Sequence, residues 1–180
     1  MWYNLIGSDK VENIKIRNAT LNDIEQVAKL HVNSWYETYK GIISQDYLDN
    51  MKNNLEKRIE RMKNEFNLRT MIVITLNDEI VGFSEFVFSN EFSKDLNIDC
   101  ELCGLYIKNG YKHLGLGSIV FEYVANLFKE QNKKKMGLWC VRENEPAISF
   151  YKKKGGILAK EKKFTIADEE YTEIAILYDL

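Results

Sequence analysis

A chain of 180 residues with 45% hydrophobic residues can bury one sizeable core, so we expect a single domain. A net charge of −2 gives no global field that would favour nucleic acid or an anionic membrane, and no apolar run reaches the length of a membrane span. Three cysteines without paired spacing indicate reduced thiols in a cytoplasmic protein. Residues 1–13 lack a signal-peptide pattern, and we interpret them as an N-terminal extension, a docking arm or an extra strand, before a domain over 14–180.

The hydrophobic pattern predicts an α/β domain in which strands and amphipathic helices alternate. In chain order, the predicted elements are a strand over 14–17, a helix from Leu21 to about Thr38 with Thr20 as N-cap, a helix over 46–65, a hairpin of strands 70–76 and 80–88 about Asn77-Asp78, a strand over 98–107, a helix over 115–131, a strand over 136–141, a helix over 146–154 and strands over 157–166 and 171–178. The order implies a mixed sheet in which strands 98–107 and 136–141 form a parallel pair bridged by a helix.

A glycine-rich loop leads into the helix over 115–131. Gly115 and Gly117 remove side chains that would hold an anion away from the free N–H groups of the first helical turn. Lys112 and His113 lie beside them, so the loop suits a phosphate or pyrophosphate, although a tight turn is the alternative reading. A P-loop would need Lys-Ser/Thr after its last glycine, and a dinucleotide fingerprint would need a third glycine where Val120 stands.

A second segment, from Asn144 to Gly155, follows a short apolar strand. Asn144 suits the N-cap of a helix, and Pro146 suits its first turn. Together the two segments resemble the GNAT superfamily of N-acetyltransferases. Lys112-x-x-Gly115-x-Gly117 is similar to the Q/R-x-x-G-x-G/A acetyl-CoA signature of that family. The family's N-x-x-A-x-x-F-Y-x-x-x-G segment is matched by Asn144, Ala147, Phe150, Tyr151 and Gly155.

The resemblance extends from residue 14 to about 178. The run from Ser34 to Gly41 resembles a bacterial subgroup with Ser-Trp-x-x-Thr-Tyr-x-Gly at the end of helix 1, and residues 106–109 and 150–153 are similar to the polyamine acetyltransferase branch. Two positions depart from the family pattern. Lys112 replaces Gln or Arg, which keeps the charge of Arg without its guanidinium fork, and Gly156 replaces a common Phe.

The resemblance implies a single-domain GNAT fold, which is a mixed, mostly antiparallel sheet with a splayed parallel central strand pair, flanked by helices. It implies acetyl-CoA as cosubstrate, with the pantetheine arm held between the splayed strands by backbone groups of Leu105, Tyr106 and Ile107. The other coenzyme-binding residues that it implies are Lys112, His113, Leu114, Gly115, Leu116, Gly117, Ser118, Asn144 and Tyr151.

Two residues are predicted to be catalytic, because acetyl transfer to an amine needs a proton acceptor for the ammonium and a proton donor for the leaving thiolate. Tyr151 is the predicted acid, since a phenol with a pKa near ~10 stays protonated at neutral pH, and we expect Phe150 to make the core contact while Tyr151 faces the cleft. Glu101 is the predicted base, on the strand face of Cys103 and Leu105 by alternation. The alternative for Tyr151 is an aromatic residue of the core, and the alternative for Glu101 is a solvated carboxylate on a sheet face.

The acceptor pocket is expected between the helix connection over 35–47 and the last hairpin, near 164–171. Trp35, Tyr36 and Tyr39 are the predicted substrate-binding residues, because aromatic faces can accept an amine cation; a place in the core is the alternative. The only histidines, His31 on an apolar helix face and His113 beside the loop, form no metal constellation with the cysteines, so no metal is predicted.

Three functions are compatible with these residues. The first is acetyl transfer to a primary amine of a small molecule (a polyamine is one candidate) or a peptide. The second is a catalytically silent GNAT-fold acyl-CoA-binding or regulatory module, and the third is a nucleotide-binding protein, which the missing Lys-Ser/Thr disfavours. The presence of both Tyr151 and Glu101 favours the enzyme. We expect no nucleic-acid or membrane partner; the acceptor and the oligomeric state, with a homodimer among the alternatives, stay open.

Overall fold

The computed structural model describes residues 14–180, so the predicted extension over 1–13 lies outside the described residues. The strands are β1 (Ile14–Asn18), β2 (Thr70–Leu76), β3 (Glu79–Val87), β4 (Cys100–Ile107), β5 (Lys135–Val141), β6 (Ile157–Ile166) and β7 (Glu169–Asp179). The helices are α1 (Ile24–Tyr39), α2 (Gln45–Asn53), α3 (Leu55–Asn64), α4 (Leu116–Glu130) and α5 (Glu145–Lys153), with short 3₁₀ turns at Leu21–Asp23 and Phe66–Leu68.

The described strands form one mixed sheet in the order β1-β2-β3-β4-β5-β7-β6. Five of the six neighbouring pairs are antiparallel, and β4 and β5 are parallel, with α4 as their crossover. The predicted fold class is therefore confirmed. The hairpin about Asn77-Asp78 is confirmed as well, because both residues have the positive φ angles (50° and 66°) that a tight turn between antiparallel strands requires.

Two of the predicted helices differ from the observed ones. The helix predicted from Leu21 begins with a 3₁₀ turn, although Thr20 is its cap as predicted, and the backbone N–H of Thr20 donates to the Asp23 carboxylate over 2.7 Å. The helix predicted over 46–65 is wrong as a single element. It breaks at Asn54, whose side chain donates to the Asn50 carbonyl oxygen, a local hydrogen bond that competes with continued helix.

The core lies on both faces of the sheet. On one face, which we call the α4 face, buried residues of α4 and α5 such as Val124 and Tyr151 pack against Leu102 of β4 and Leu138 of β5. On the opposite face, which we call the α1 face, α1 and α3 pack against β2 and β3 around the fully buried Phe83. The sheet between these layers brings the ends of β4 and β5, the start of α4 and the start of α5 to one edge.

Candidate functional site

The two parallel strands separate soon after they pair. Among the described residues, the ladder between β4 and β5 contains only Cys100 with Met136 and Glu101 with Gly137. Pairing between β3 and β4 skips Cys103, which is a bulge at the point where the strands part. Beyond it, backbone groups of β4 that point towards β5 have no ladder partner, although buried N–H and C=O groups are nearly always paired. This space between the two strands, which we call the cleft, can accept hydrogen bonds from an extended ligand.

The glycine-rich loop lies where β4 leads into α4. Gly115 is the N-cap of α4 and has the left-handed φ of 81°, which only glycine adopts without strain. The first N–H groups of the helix, which include those of Leu116, Gly117 and Ser118, have no acceptor within the helix. A Cβ atom at Gly117 would lie 3.7 Å from the Phe150 ring and 3.9 Å from Leu105, so this side of the helix start faces α5 and β4.

A cation of the loop is held by the first helix. The Lys112 ammonium lies 3.8 Å from the Glu37 carboxylate of α1, and both side chains are more than one-third exposed. His113 and Leu114 complete the loop, and His113 has a positive φ of 64°. The structure thus brings the predicted phosphate-binding residues together at one helix start, with a partly exposed cation beside the free N–H groups.

The start of α5 faces the end of α1. Asn144 caps α5 as predicted, because its Oδ1 accepts the backbone N–H of Ala147 over 3.3 Å. Its side chain also hydrogen-bonds the hydroxyl of Tyr39. Burial raises the pKa of Tyr39, with Tyr106 of β4 and Cys140 of β5 as further contributors. Tyr39 therefore reaches from α1 into the cleft, where it approaches both strands.

Tyr151 lies deeper in the protein than the sequence predicts. It is the buried residue of α5, with 9% of its surface exposed, and Phe150 is partly buried against the same core cluster, so both rings contact the core. Burial raises the pKa of Tyr151 well above its usual value, and Cys140, Tyr106 and Tyr39 add to the shift. These neighbours come from β5, β4 and α1, and the ring also packs against Phe121 of α4, so Tyr151 is buried where these elements meet and its phenol is held in the protonated form.

Gly156 departs from the family pattern for a packing reason. A Cβ atom there would lie 2.5 Å from Ile176 and 2.7 Å from the Tyr178 hydroxyl, so no side chain fits. The Tyr178 hydroxyl donates to the Tyr151 carbonyl oxygen over 2.9 Å, which fixes the last turn of α5 against β7. A tyrosine of β7 thus occupies the space beside Gly156.

Glu101 lies at the closed end of the cleft, in the last pair of the β4–β5 ladder. It is 6% exposed, and its Oε2 atom has no hydrogen-bond partner among the described residues. Burial raises its pKa, and a hydrogen bond with Ser93 partly opposes that shift. The alternative that Glu101 is a solvated carboxylate is therefore wrong. The prediction that Glu101 shares a strand face with Leu105 is also wrong, because the bulge at Cys103 turns Leu105 towards the α4 face, where Leu102 also packs.

The predicted acceptor-binding aromatics separate into two groups. Trp35 donates its indole N–H to the Tyr106 hydroxyl over 3.2 Å, and its ring lies 4.7 Å from that of Tyr39, so these two residues line the α1 side of the cleft. Tyr36 faces α2 instead, where the Lys52 ammonium lies 3.1 Å from its ring centroid. Tyr106 itself stacks on Phe83, and burial raises its pKa to about 12.

The connection between α1 and α2 touches the last hairpin, as predicted for the acceptor side. The backbone N–H of Ser44 donates to the Tyr171 hydroxyl over 2.9 Å. A surface groove there is lined by residues 40–45 and Glu169. His31, by contrast, is buried under Arg58, whose guanidinium lies 3.2 Å from both ring nitrogens. Burial and this cation lower the pKa of His31 well below its usual value, so it is a neutral packing residue.

Several polar groups near the cleft escape sequence reasoning, because they come from distant segments. Trp139 of β5 donates its indole N–H to the Ser93 hydroxyl over 2.8 Å, and Ser93 in turn contacts Glu101. Glu173 of β7 pairs with Lys162 of β6 over 3.1 Å, and the Lys162 ammonium lies 3.8 Å from the Trp139 ring centroid. No sequence spacing connects these residues.

Other kinds of site find little support in the described part of the chain. The three cysteines are free, and burial raises the pKa of Cys103 and Cys140 to about 12, which keeps them as unreactive thiols. Within residues 14–180 no group of three or more His, Cys, Asp or Glu side chains could hold a metal ion. No helix among these residues is both long enough and apolar enough to cross a membrane.

Comparison with known sequences is consistent with this geometry. Residues 28–156 match the acetyltransferase (GNAT) family. The chain is 26% identical to the uncharacterized N-acetyltransferase YuaI of Bacillus subtilis over an alignment of 163 residues, which covers 91% of each protein. It is 28% identical to the spermidine N(1)-acetyltransferase of Thermoplasma acidophilum over an alignment of 149 residues, which covers 79% of this chain and 88% of that protein.

Solved structures share the fold. The PaiA N-acetyltransferase of Thermoplasma acidophilum, crystallised with coenzyme A, superposes with a TM-score of 0.72 at 21% identity, over 93% of this chain and 99% of that chain. A GCN5-related N-acetyltransferase of Rhodopseudomonas palustris superposes with a TM-score of 0.74 at 15% identity, over 97% and 100% of the two chains. At these identities the likeness concerns the fold, which confirms the predicted GNAT architecture.

Proposed function

Because the chain belongs to the acetyltransferase (GNAT) family, we propose that it transfers the acetyl group of acetyl-CoA to a primary amine of a small molecule or a peptide. One observation carries the proposal. The cleft between β4 and β5 opens beside the glycine-capped start of α4, and Tyr151 of α5 is buried near Tyr106 of β4 and Cys140 of β5. A helix start that suits an anion, a slot of backbone groups and a protonated phenol would thus be adjacent, which suits transfer from a thioester.

The coenzyme would be held largely by backbone groups. Its pyrophosphate would bind at the start of α4, where residues 112–118 supply free N–H groups, the helix dipole and the Lys112 cation. Lys112 would leave Glu37, 3.8 Å away, when the phosphate offers a stronger partner. The pantetheine amides would hydrogen-bond the unpaired backbone of residues 105–107, and Asn144 would flank the arm from the start of α5.

The reaction would proceed by direct attack of the neutral amine on the thioester carbon. The acceptor ammonium first loses a proton to Glu101, directly or through water, and the raised pKa of Glu101 makes it a better base than a solvated carboxylate. The new C–N bond forms as the C–S bond breaks. Tyr151 donates its proton to the departing thiolate and regains one from the amine nitrogen, which loses its second proton as the amide forms, while Glu101 passes its proton to solvent. The products are an acetamide and free coenzyme A.

A polyamine is the acceptor that the surroundings of the cleft favour. Glu101 and Glu173 place two carboxylates on its α1 side, and Trp35, Tyr39 and Trp139 offer aromatic faces. Carboxylates and aromatic rings are the groups that bind an alkylammonium. The relative from Thermoplasma acidophilum that is named as a spermidine acetyltransferase agrees with this choice.

The test is a panel of polyamines, aminoglycosides, amino acids and peptides, assayed with acetyl-CoA for release of the free thiol. We expect linear polyamines to give turnover above the rate of hydrolysis in the absence of amine. Acetyl-CoA binding by calorimetry without thiol release from any amine would indicate the catalytically silent module. Greater thermal stabilisation by ATP than by acetyl-CoA would indicate a nucleotide-binding protein and contradict the proposal.

A further inference from the structure

An alkylammonium already lies on the α1 face beside the cleft, and it belongs to the protein. The Lys162 ammonium lies 3.8 Å from the ring centroid of Trp139 and 3.1 Å from the Glu173 carboxylate. Trp139 is two residues past the last β4–β5 pair, where the strands begin to part. A primary amine on an unbranched four-carbon chain therefore occupies a cation–π and ion-pair position near the closed end of the cleft.

This arrangement differs from the other ion pairs of the last hairpin. Lys163 and Glu170 form a pair that is about 60% exposed on both sides, which is an ordinary solvated contact. Glu173 is only 20% exposed, and the Lys162 side chain crosses β7 to reach Trp139 on β5. Two partners from two strands therefore hold a single ammonium in a partly desolvated position.

A second carboxylate faces the same position without a full complement of partners. Glu101 lies beside Trp139 through their shared contact with Ser93, and both Lys162 and Glu173 act on its charge. It is 94% buried, since 6% of its surface is exposed, and its Oε2 atom has no hydrogen-bond partner among the described residues. A buried carboxylate oxygen left without a donor is costly, and an incoming ammonium with three N–H donors would satisfy it.

We propose that Trp139, Glu173 and Glu101 form a binding pocket for an unbranched primary alkylammonium, and that the Lys162 side chain occupies this pocket until the ligand displaces it. The proposal rests on the proposed function only in taking that ligand to be the acetyl acceptor. Lys162 then sets the acceptor affinity. Only molecules in which Lys162 has left the pocket can bind the ligand, so the apparent dissociation constant equals the intrinsic one divided by the fraction of molecules with an open pocket.

The experiment measures cadaverine binding by calorimetry to the full-length protein with free coenzyme A present, so that no turnover is needed. Lys162→Thr removes the internal ammonium and keeps strand propensity, and Lys163→Thr is the matched control, since it removes an equal charge from the next residue. We expect Lys162→Thr to lower the dissociation constant of cadaverine roughly three- to tenfold, which is the displacement of one cation–π and ion-pair contact. Lys163→Thr should leave it within twofold.

The Glu173→Gln variant should change the affinity in the opposite direction. It should raise the dissociation constant of cadaverine roughly fivefold or more, because the carboxylate that pairs with the ammonium is lost. Pentanol, which lacks the charge, should bind to none of the proteins. Melting temperatures verify that each variant is folded.

The outcomes separate this proposal from the proposed function. An unchanged or weaker cadaverine affinity in Lys162→Thr, or no cadaverine binding in any of the proteins, overturns the pocket even if other amines are acetylated. Tighter binding in Lys162→Thr without thiol release from any amine supports the pocket and contradicts the acetyltransferase assignment of the acceptor. If Lys163→Thr lowers the dissociation constant of cadaverine as much as Lys162→Thr does, the change in net charge explains the effect, and the proposed role of Lys162 is overturned.

Discussion

Gly117 offers a substitution that moves stability and coenzyme affinity in opposite directions. A Cβ atom at this position would meet Phe150 at 3.7 Å and Leu105 at 3.9 Å, which is ordinary van der Waals contact, so the folded protein accommodates a side chain. Gly117 lies in the first turn of α4, and its φ is not in the left-handed region. We therefore expect Gly117→Asp to fold and to bind acetyl-CoA poorly.

The magnitudes follow from the position of the residue. Replacing a helical glycine by Asp stabilises by only about 0.3 kcal/mol, because Asp is itself a poor helix former, and a negative charge in the first turn adds about 0.3–1 kcal/mol through the helix dipole. The sum of about 1 kcal/mol corresponds to a rise of about 2–4 °C in melting temperature for a chain of this size. Against a phosphate charge ~5 Å away, the carboxylate costs about 3 kcal/mol at an effective dielectric constant of ~20. Solvent screening reduces this cost to roughly 1–2 kcal/mol, or an affinity loss of about 5- to 30-fold.

Calorimetry with acetyl-CoA and thermal melts of the free protein measure both quantities. Gly117→Asn is the matched control, because it has the size of Asp without the charge, and we expect it to weaken acetyl-CoA less than Asp by about tenfold. The reasoning is refuted if the Asp variant is folded and binds acetyl-CoA as tightly as the Asn variant. In that case no phosphate lies at the start of α4.

Four further predictions concern the acid, the base and the turn before α1. Tyr151→Phe should lower turnover about 10²-fold, the lower end of general-acid contributions, with coenzyme affinity within a few-fold; intact turnover would make Tyr151 a packing residue. Glu101→Gln should lower turnover at neutral pH, with a defect that shrinks as pH rises and the free amine appears, whereas an equal defect at all pH values would mean that Glu101 does not move the proton. Because burial raises the pKa of Glu101, its ionised form destabilises the fold, so the same variant should melt higher at neutral pH, with the gain lost below pH ~4. The hydrogen bonds from Arg17 lower the pKa of the Asp23 carboxyl from 3.8 to about 2. They should therefore stabilise the fold by about 2 kcal/mol above pH ~4, and this stabilisation should be lost as pH falls through about 2. Acid denaturation of the parent protein and of Asp23→Asn measures the difference.

Local signals in the sequence were sufficient for most of the elements and for the glycine-rich helix start. The spacing of apolar residues predicts α1, α4 and the strands to within a few residues, and Thr20 and Asn144 cap the helices that they precede. The helix start at Gly115 is readable for the same reason, since the periodic run of apolar residues begins at Leu116, whereas the left-handed φ of Gly115 is seen only in the structure. These features depend on neighbours in the chain, which the sequence displays directly.

The break at Asn54 and the bulge at Cys103 are less readable. A single asparagine in a helical pattern does not by itself end a helix, and period-two alternation assumes a strand without an extra residue. The bulge therefore reverses the predicted relation between Glu101 and Leu105. The sequence likewise does not tell which of Phe150 and Tyr151 is the more buried, because both positions on α5 face apolar neighbours.

The sequence by itself determined the order of elements, the glycine-led start of α4 and the choice of two candidate catalytic residues. Only the tertiary structure decided what surrounds them. The insertion of β7 between β5 and β6 brings Glu173 and Lys162 across the sheet to Trp139, and the segment before β4 brings Ser93 over Glu101. Such contacts join residues that are distant in the chain, and they form because the sheet must bury both faces at once, a condition that no local pattern encodes.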